Sequence, residues 1–133
     1  MNDTIRILYI EDDPGNRMLV RRILEAEGFS ITEATDGPSG LEIATEMYPD
    51  LDLILLDINL PEIDGYDLAK RFRNTPTLQE VPILAVTANV MQGDRELTLE
   101  AGCDGYIQKP IDVDLLPEQV KAALKMKHTQ RPQ

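Results

Sequence analysis

Residues 51–56 (LDLILL) lose all polar alternation after Asp52 and stop abruptly at Asp57. A strand with one wet face alternates apolar and polar residues, whereas a continuous apolar run needs cover on both faces, the situation of a parallel sheet between two layers of helices. This one segment therefore points to an α/β chain.

The rest of the sequence keeps to that plan. Short apolar, β-branched runs at 5–10 (IRILYI), 29–34, 82–87 (PILAVT) and 105–108 (GYIQ) read as four more strands. Helical periodicity falls between them, over 16–27, 37–48, 66–73, 90–101 and 113–126, with stops at Gly28, Pro49 and Gly102 and Pro117 in the first turn of the last helix. Five strands alternating with five helices imply right-handed crossovers and a doubly wound five-stranded parallel sheet of flavodoxin-like topology, strand order 2-1-3-4-5. One domain over residues 1–126 and a polar tail over 127–133 account for the chain.

Charge narrows the function. Thirteen Lys and Arg stand against 24 Asp and Glu, a net charge of -11, so a nucleic-acid backbone would be repelled and no nucleic-acid partner is expected for this chain alone. A single cysteine, Cys103, excludes an internal disulfide, and the start Met-Asn-Asp-Thr has no signal-peptide character. No apolar run approaches the roughly 20 residues that cross a bilayer. The expected location is the cytoplasm, with no membrane partner.

Chemistry-bearing residues converge on one edge of the expected sheet. Glu11 and Asp12 follow the first strand, Asp57 ends the third, Thr87 ends the fourth and Lys109 follows the fifth. The carboxyl edge of a doubly wound sheet holds the binding crevice, and with this order its switch point lies between the first and third strands. Two carboxylates about 4 Å apart repel by about 4 kcal/mol at an effective dielectric near 20, so three of them call for a raised pKa or a bound cation. Mg²⁺ suits the site, since it takes oxygen ligands from one or two carboxylates and bridges to phosphate; Asp12 and Asp57 would be direct ligands. Asp57 then becomes a nucleophile toward a phosphoryl group whose charge Lys109 and the Thr87 hydroxyl would meet. Taken singly, a strand-end Asp is a turn residue, a Thr a helix cap and a Lys a solvated charge. Their joint arrival at four strand ends is what argues for a shared site.

These residues resemble the CheY-like receiver domains of bacterial two-component response regulators, through EDD after the first strand, LLDINLPEIDG at the third, VTA at the fourth and YIQKP at the fifth. Single-domain regulators of the DivK type look especially similar. The resemblance implies that Asp57 is the phosphoacceptor, that Asp12, Asp57 and the backbone carbonyl of Asn59 hold Mg²⁺, and that Glu11 acts through a metal-bound water. It further implies that Thr87 and Lys109 contact the phosphoryl oxygens, that Thr87 and Tyr106 form a switch pair, and that Lys109-Pro110 is a cis peptide. Glu11 stands where many members have Asp, and Asn59 and Asn89 occupy the positions that influence acyl-phosphate lifetime.

The implied donor is a sensor histidine kinase or histidine phosphotransfer protein, since the one histidine here, His128, falls in the polar tail. Such a chain is not an enzyme in the ordinary sense: it catalyses its own phosphotransfer and slow autodephosphorylation. The basic side of the first helix, with Arg17, Arg21 and Arg22, is a candidate docking face for the donor. Output is expected on the surface of the fourth helix, fifth strand and fifth helix, toward an unidentified protein target or a second copy of the chain; Gly93 would loosen the fourth helix by up to about 1 kcal/mol. The competing readings are a pseudo-receiver scaffold and a Mg²⁺-dependent aspartyl phosphatase, which needs a second Asp where Asn59 stands. A flavin site is opposed by Glu11-Asp12-Asp13, which would repel a flavin phosphate, and a Ser-His hydrolase has only Ser30, Ser39 and the tail histidine to draw on.

Overall fold

The computed structural model describes residues 4–88 and 92–129. Strands β1 (Arg6–Ile10), β2 (Ser30–Ala34), β3 (Leu53–Asp57), β4 (Ile83–Thr87) and β5 (Gly105–Gln108) alternate with helices α1 (Pro14–Ala26), α2 (Gly37–Met47), α3 (Gly65–Arg73), α4 (Gln92–Glu100) and α5 (Leu115–Thr129). The strands form one sheet in the order β2-β1-β3-β4-β5, every pairing parallel. Fold class and strand order are those read from the sequence.

Strand alternation divides the core into two layers. Ile7 and Tyr9 of β1, Leu53 and Leu55 of β3, Leu84 and Val86 of β4 and Ile107 of β5 point to the side of α1 and α5. Leu8, Ile10, Ile54, Leu56, Ile83 and Ala85 point to the other side, toward α2 and α3. Every residue of β3 and β4 is buried, which is why their sequences carry no polar alternation.

Helix starts are set by carboxylate caps. Asp13 accepts from the Asn16 N–H at 2.8 Å, Asp36 from Ser39 at 2.8 Å and Asp64 from Tyr66 at 2.8 Å. Asp112 accepts from Asp114 and Leu115 at 2.9 and 3.1 Å and so opens α5. Helix α1 accordingly begins at Pro14, inside what composition alone marks as a loop, because Pro is favoured just after an N-cap. Helix α5 starts two residues later than expected and runs to Thr129, three residues past Met126. Gly93 lies in α4, as its second described residue. A 3-10 turn at Pro76–Leu78 was not expected.

Arg73, at the end of α3, ties the carboxyl end of α4 to the start of β4. Its Nε donates to the Gly102 carbonyl at 2.8 Å, its Nη1 to the carbonyls of Leu78, Gln79 and Val81, and its Nη2 to Asp104 at 2.8 Å. Asp104 also accepts from the Ile83 N–H at 2.9 Å. Gly102 itself has φ of 103°, the left-handed conformation in which a helix commonly ends.

Gly65 governs the opposite, carboxyl edge. Its N–H donates to the Ile58 carbonyl at 3.1 Å, and a Cβ there would run into the Ile58 backbone. Only glycine lets α3 start this close to the end of β3. Gly65→Ala should therefore cost about 1–3 kcal/mol in urea unfolding, the penalty of overpacking against rigid backbone.

The cap of α2 gives a pH signature. The Ser39 N–H holds the Asp36 carboxyl below the usual aspartate range. A depressed folded pKa contributes stability that is present above the unfolded pKa and lost as pH falls through the folded one. Asp36→Ala should thus melt below wild type at pH 7, and the gap should narrow on acidification past the ordinary aspartate range; a gap independent of pH would show the cap is not electrostatic.

Candidate phosphoryl-transfer site

Glu11, Asp12 and Asp57 bring one carboxylate oxygen each to within 4.8 Å of one another. β1 delivers the first two and β3 the third. Because β1 and β3 pair with Tyr9 beside Leu55, the next step of the same phase places Glu11 beside Asp57. Glu11 and Asp57 are buried, at 1% and 2% exposure, whereas Asp12 is exposed, so the cluster opens to solvent on one side.

Lys109 is the cation at this cluster. Its Nζ lies 3.4 Å from Glu11 Oε1 and 3.4 Å from Asp57 Oδ1. Lys109 follows Ile107 by two residues and therefore keeps the phase that faces α1 and α5, the same as Glu11 and Asp57. Its N–H donates to the Thr87 carbonyl at 2.8 Å, which locks the end of β5 to the end of β4. The Lys109–Pro110 peptide is cis, as is Tyr48–Pro49.

Three carboxylates around one ammonium leave a net negative charge. Burial, and next the neighbouring Asp57 carboxylate, hold Glu11 above the usual carboxylate range, while hydrogen bonds from Tyr9 and the Asp13 N–H act in the opposite direction. The donor set is oxygen only, partly buried and under-compensated in charge, which fits a hard divalent cation of the Mg²⁺ kind.

Asp57 Oδ1 accepts from the Asn59 N–H at 3.0 Å, so the turn after β3 orients the carboxylate. Asn59 is exposed. Thr87 ends β4 and is buried at 2%. It has the phase of Ile83 and Ala85, and Ala85 pairs with Tyr106 on β5, so Thr87 and Tyr106 lie on the α4 side of the sheet. Tyr106 is half-buried, and the Arg95 guanidinium of α4 stands 5.5 Å from its ring centroid. A surface groove of about 510 Å³ runs past Tyr106, Gln108, Lys109, Pro110 and Leu115. Asn89 lies outside the described residues.

Two arginines of α1 are not the open basic face expected from the sequence. Arg17 donates to the Glu11 carbonyl at 2.9 Å and sits 3.6 Å from Glu33, and Arg21 pairs with Glu33 and Glu25 at 2.8 Å each. The partner Glu33 arrives from β2, a long-range contact that helix periodicity does not reveal. What α1 does expose is Met18, at 55%, together with Leu19 and Arg22. Cys103 is buried, and burial pushes its thiol up to about 12, so it is no nucleophile at neutral pH.

The chain is similar to proteins of known kind. The response regulator receiver domain family matches residues 7–121. The polar-differentiation response regulator DivK of Brucella ovis is 38% identical over 121 residues, 91% of this chain and 97% of its own length. Among solved structures, the receiver domain of the sensor histidine kinase PA1611 from Pseudomonas aeruginosa PAO1, with magnesium ion coordinated in the active site cleft, is 33% identical with a TM-score of 0.80, covering 92% of this chain and 98% of that one. A chain of the Saccharomyces cerevisiae co-crystal of the histidine phosphotransfer signaling protein Ypd1 and the receiver domain of its downstream response regulator Ssk1 is 27% identical with a TM-score of 0.84, covering 93% and 91%. With its five-stranded fold, its clustered carboxylates and these relatives, the chain belongs to the response regulator receiver domain family.

Proposed function

We propose that this receiver accepts a phosphoryl group on Asp57 from a phosphohistidine and uses the change to alter the surface formed by α4, β5 and α5. The observation that carries the reading is the meeting of Glu11, Asp12 and Asp57 within 4.8 Å, with Lys109 3.4 Å from two of them.

Asp12, Asp57 and the Asn59 carbonyl would hold Mg²⁺, with Glu11 acting through a metal-bound water. When bound, the ion neutralises carboxylate charge and the charge of the incoming phosphoryl oxygens. Asp57, oriented by the Asn59 N–H, attacks phosphorus. An O–P bond forms, the donor's N–P bond breaks, and the electron pair leaves with the imidazole nitrogen. Lys109 stays beside Asp57 and takes up a phosphoryl oxygen, and the Thr87 hydroxyl takes another.

Moving Thr87 toward phosphate vacates space on the α4 side, into which Tyr106 turns, breaking its contact with Arg95. That transmits the chemistry to the output surface, where a protein target or a second copy binds. The yeast co-crystal named above pairs a receiver with a phosphotransfer protein, which supports a histidine kinase or phosphotransfer protein as donor, in the cytoplasm. The donor would meet the exposed Met18 and Leu19 of α1 and the exposed Leu115, which lines the groove beside Lys109. The pseudo-receiver and aspartyl-phosphatase readings are weaker: the first leaves an intact acceptor cluster unused, and the second has Asn59 where an acid is needed.

Incubation with acetyl phosphate and Mg²⁺ should add one phosphoryl group by intact mass, absent without Mg²⁺ and absent in Asp57→Asn. An adduct that persists in Asp57→Asn would put the acceptor elsewhere, and no adduct would favour the scaffold reading. Independently, removing one of the crowded charges should relieve repulsion in the metal-free protein. Asp57→Asn is expected to melt higher than wild type without metal, by about 4 °C for each kcal/mol relieved in a domain of this size, while Mg²⁺ should raise the midpoint of wild type but not of the variant.

A further inference from the structure

Tyr9 is an unexpected residue for the centre of this sheet. It lies on β1, fully buried, in the layer with Val20, Leu24, Leu55, Val86 and Leu116. Isoleucine, leucine or phenylalanine would fill such a place without a polar atom to satisfy. The tyrosine hydroxyl instead donates to Glu11 Oε1 at 2.9 Å. Residues 9 and 11 share a face because strand side chains alternate with period two, and the length of a phenol spans the step from the core to the carboxylate.

Glu11 needs such a hold. Its Oε2 accepts a longer bond from the Asp13 N–H, 3.2 Å, and Asn16 Nδ2 approaches Oε1 at 3.5 Å. Against these, the Lys109 ammonium at 3.4 Å from Oε1 pulls the carboxylate toward Lys109 and Asp57. A buried hydroxyl with a charged acceptor makes a strong, directional bond, and the Tyr9 hydroxyl donates to Glu11 from a fully buried position.

We propose that Tyr9 is a positioning residue for the cation site: from within the core its hydroxyl fixes the Glu11 carboxylate where it can serve a divalent ion held by Asp12 and Asp57. This rests on the receiver reading for the identity of the ion. It makes the apolar layer beneath α1 part of the site, because the ring's packing sets where the hydroxyl stands. Metal centres depend on such outer partners, whose loss commonly weakens binding by about tenfold or more.

The test is Mg²⁺ binding alone, by titration calorimetry, on wild type, Tyr9→Phe, Glu11→Gln and the double variant. Tyr9→Phe should raise the dissociation constant about tenfold, and in the Glu11→Gln background it should change nothing further, since the hydroxyl acts through that carboxylate. In the metal-free protein, Tyr9→Phe should also shift the Asp13 amide resonance, whose N–H reports the position of Glu11 Oε2. Equal affinity of Tyr9→Phe and wild type overturns the proposal. So does an equal loss in both backgrounds, which would mark a packing defect. If Tyr9→Phe does not fold, the Asp13 amide resonance decides: it should move between wild type and Tyr9→Leu in metal-free protein, and an unmoved resonance overturns the proposal. A wild type that binds Mg²⁺ yet takes no phosphoryl group from acetyl phosphate sinks the phosphoacceptor reading alone, while a wild type that binds no Mg²⁺ sinks both that reading and the role of Tyr9.

Discussion

The mutual repulsion of Glu11, Asp12 and Asp57 is the constraint around which the rest of the domain is arranged. Each close pair of carboxylates costs about 4 kcal/mol at 4 Å and an effective dielectric near 20, and Lys109 offsets only part of this. Buried Leu and Ile side chains contribute roughly 1.5–3 kcal/mol each. The fully buried strands β3 and β4 therefore hold an internally unfavourable cluster in place. The consequence is functional: a site strained in charge without metal gains most when a cation enters, and the sheet supplies the rigidity that keeps the carboxylates from relaxing apart.

Strand alternation then divides the labour. Glu11, Asp57 and Lys109 keep the phase that faces α1 and α5, and Tyr9 supports them from below in the same layer. Thr87 and Tyr106 keep the opposite phase, toward α4. The acidic cluster and the proposed switch pair thus approach each other at the carboxyl edge, where the Lys109 N–H donates to the Thr87 carbonyl. In the proposed mechanism that edge is where a covalent change on one face becomes a packing change on the other. Arg73 matters at the far end: by holding Gly102 and Asp104 it anchors the carboxyl end of α4.

Local signals carried the fold, because each was complete within a few residues. The apolar run of β3, the stops at Gly28 and Gly102 and the residues at strand ends sufficed for element order, strand order and the meeting of Glu11, Asp12, Asp57 and Lys109. What escaped depended on partners distant in sequence or on competing local chemistry. The pairing of Arg17 and Arg21 with Glu33 crosses from α1 to β2 and removed the expected basic face. Arg73 reaches across about thirty residues to Asp104, with no periodic pattern to announce it. Two misses had local signals that could have been weighed differently: Asp13-Pro14 is a cap followed by a favoured first residue, and Tyr9, two residues before Glu11, is a polar atom in the buried, otherwise apolar run Ile7–Ile10.

The use made of the basic residues bears on recognition. With 13 bases against 24 acids, the chain has few cations to spare. Arg17, Arg21, Arg73, Lys109 and Lys121 are all within ion-pair distance of carboxylates of this same chain. A partner that approaches the site therefore meets an acidic surface on which Arg17 and Arg21 of α1 are already paired with carboxylates, so long-range attraction by positive charge is a poor basis for specificity here. Exposed apolar side chains remain: Met18 and Leu19 on α1, Val113 and Leu115 before and at the start of α5. Desolvating such residues against a complementary apolar patch gives affinity that salt does not screen. Discrimination among donors that all carry phosphohistidine would then lie in the shape of that apolar contact, with Arg22 and the surrounding acids limiting which surfaces can approach.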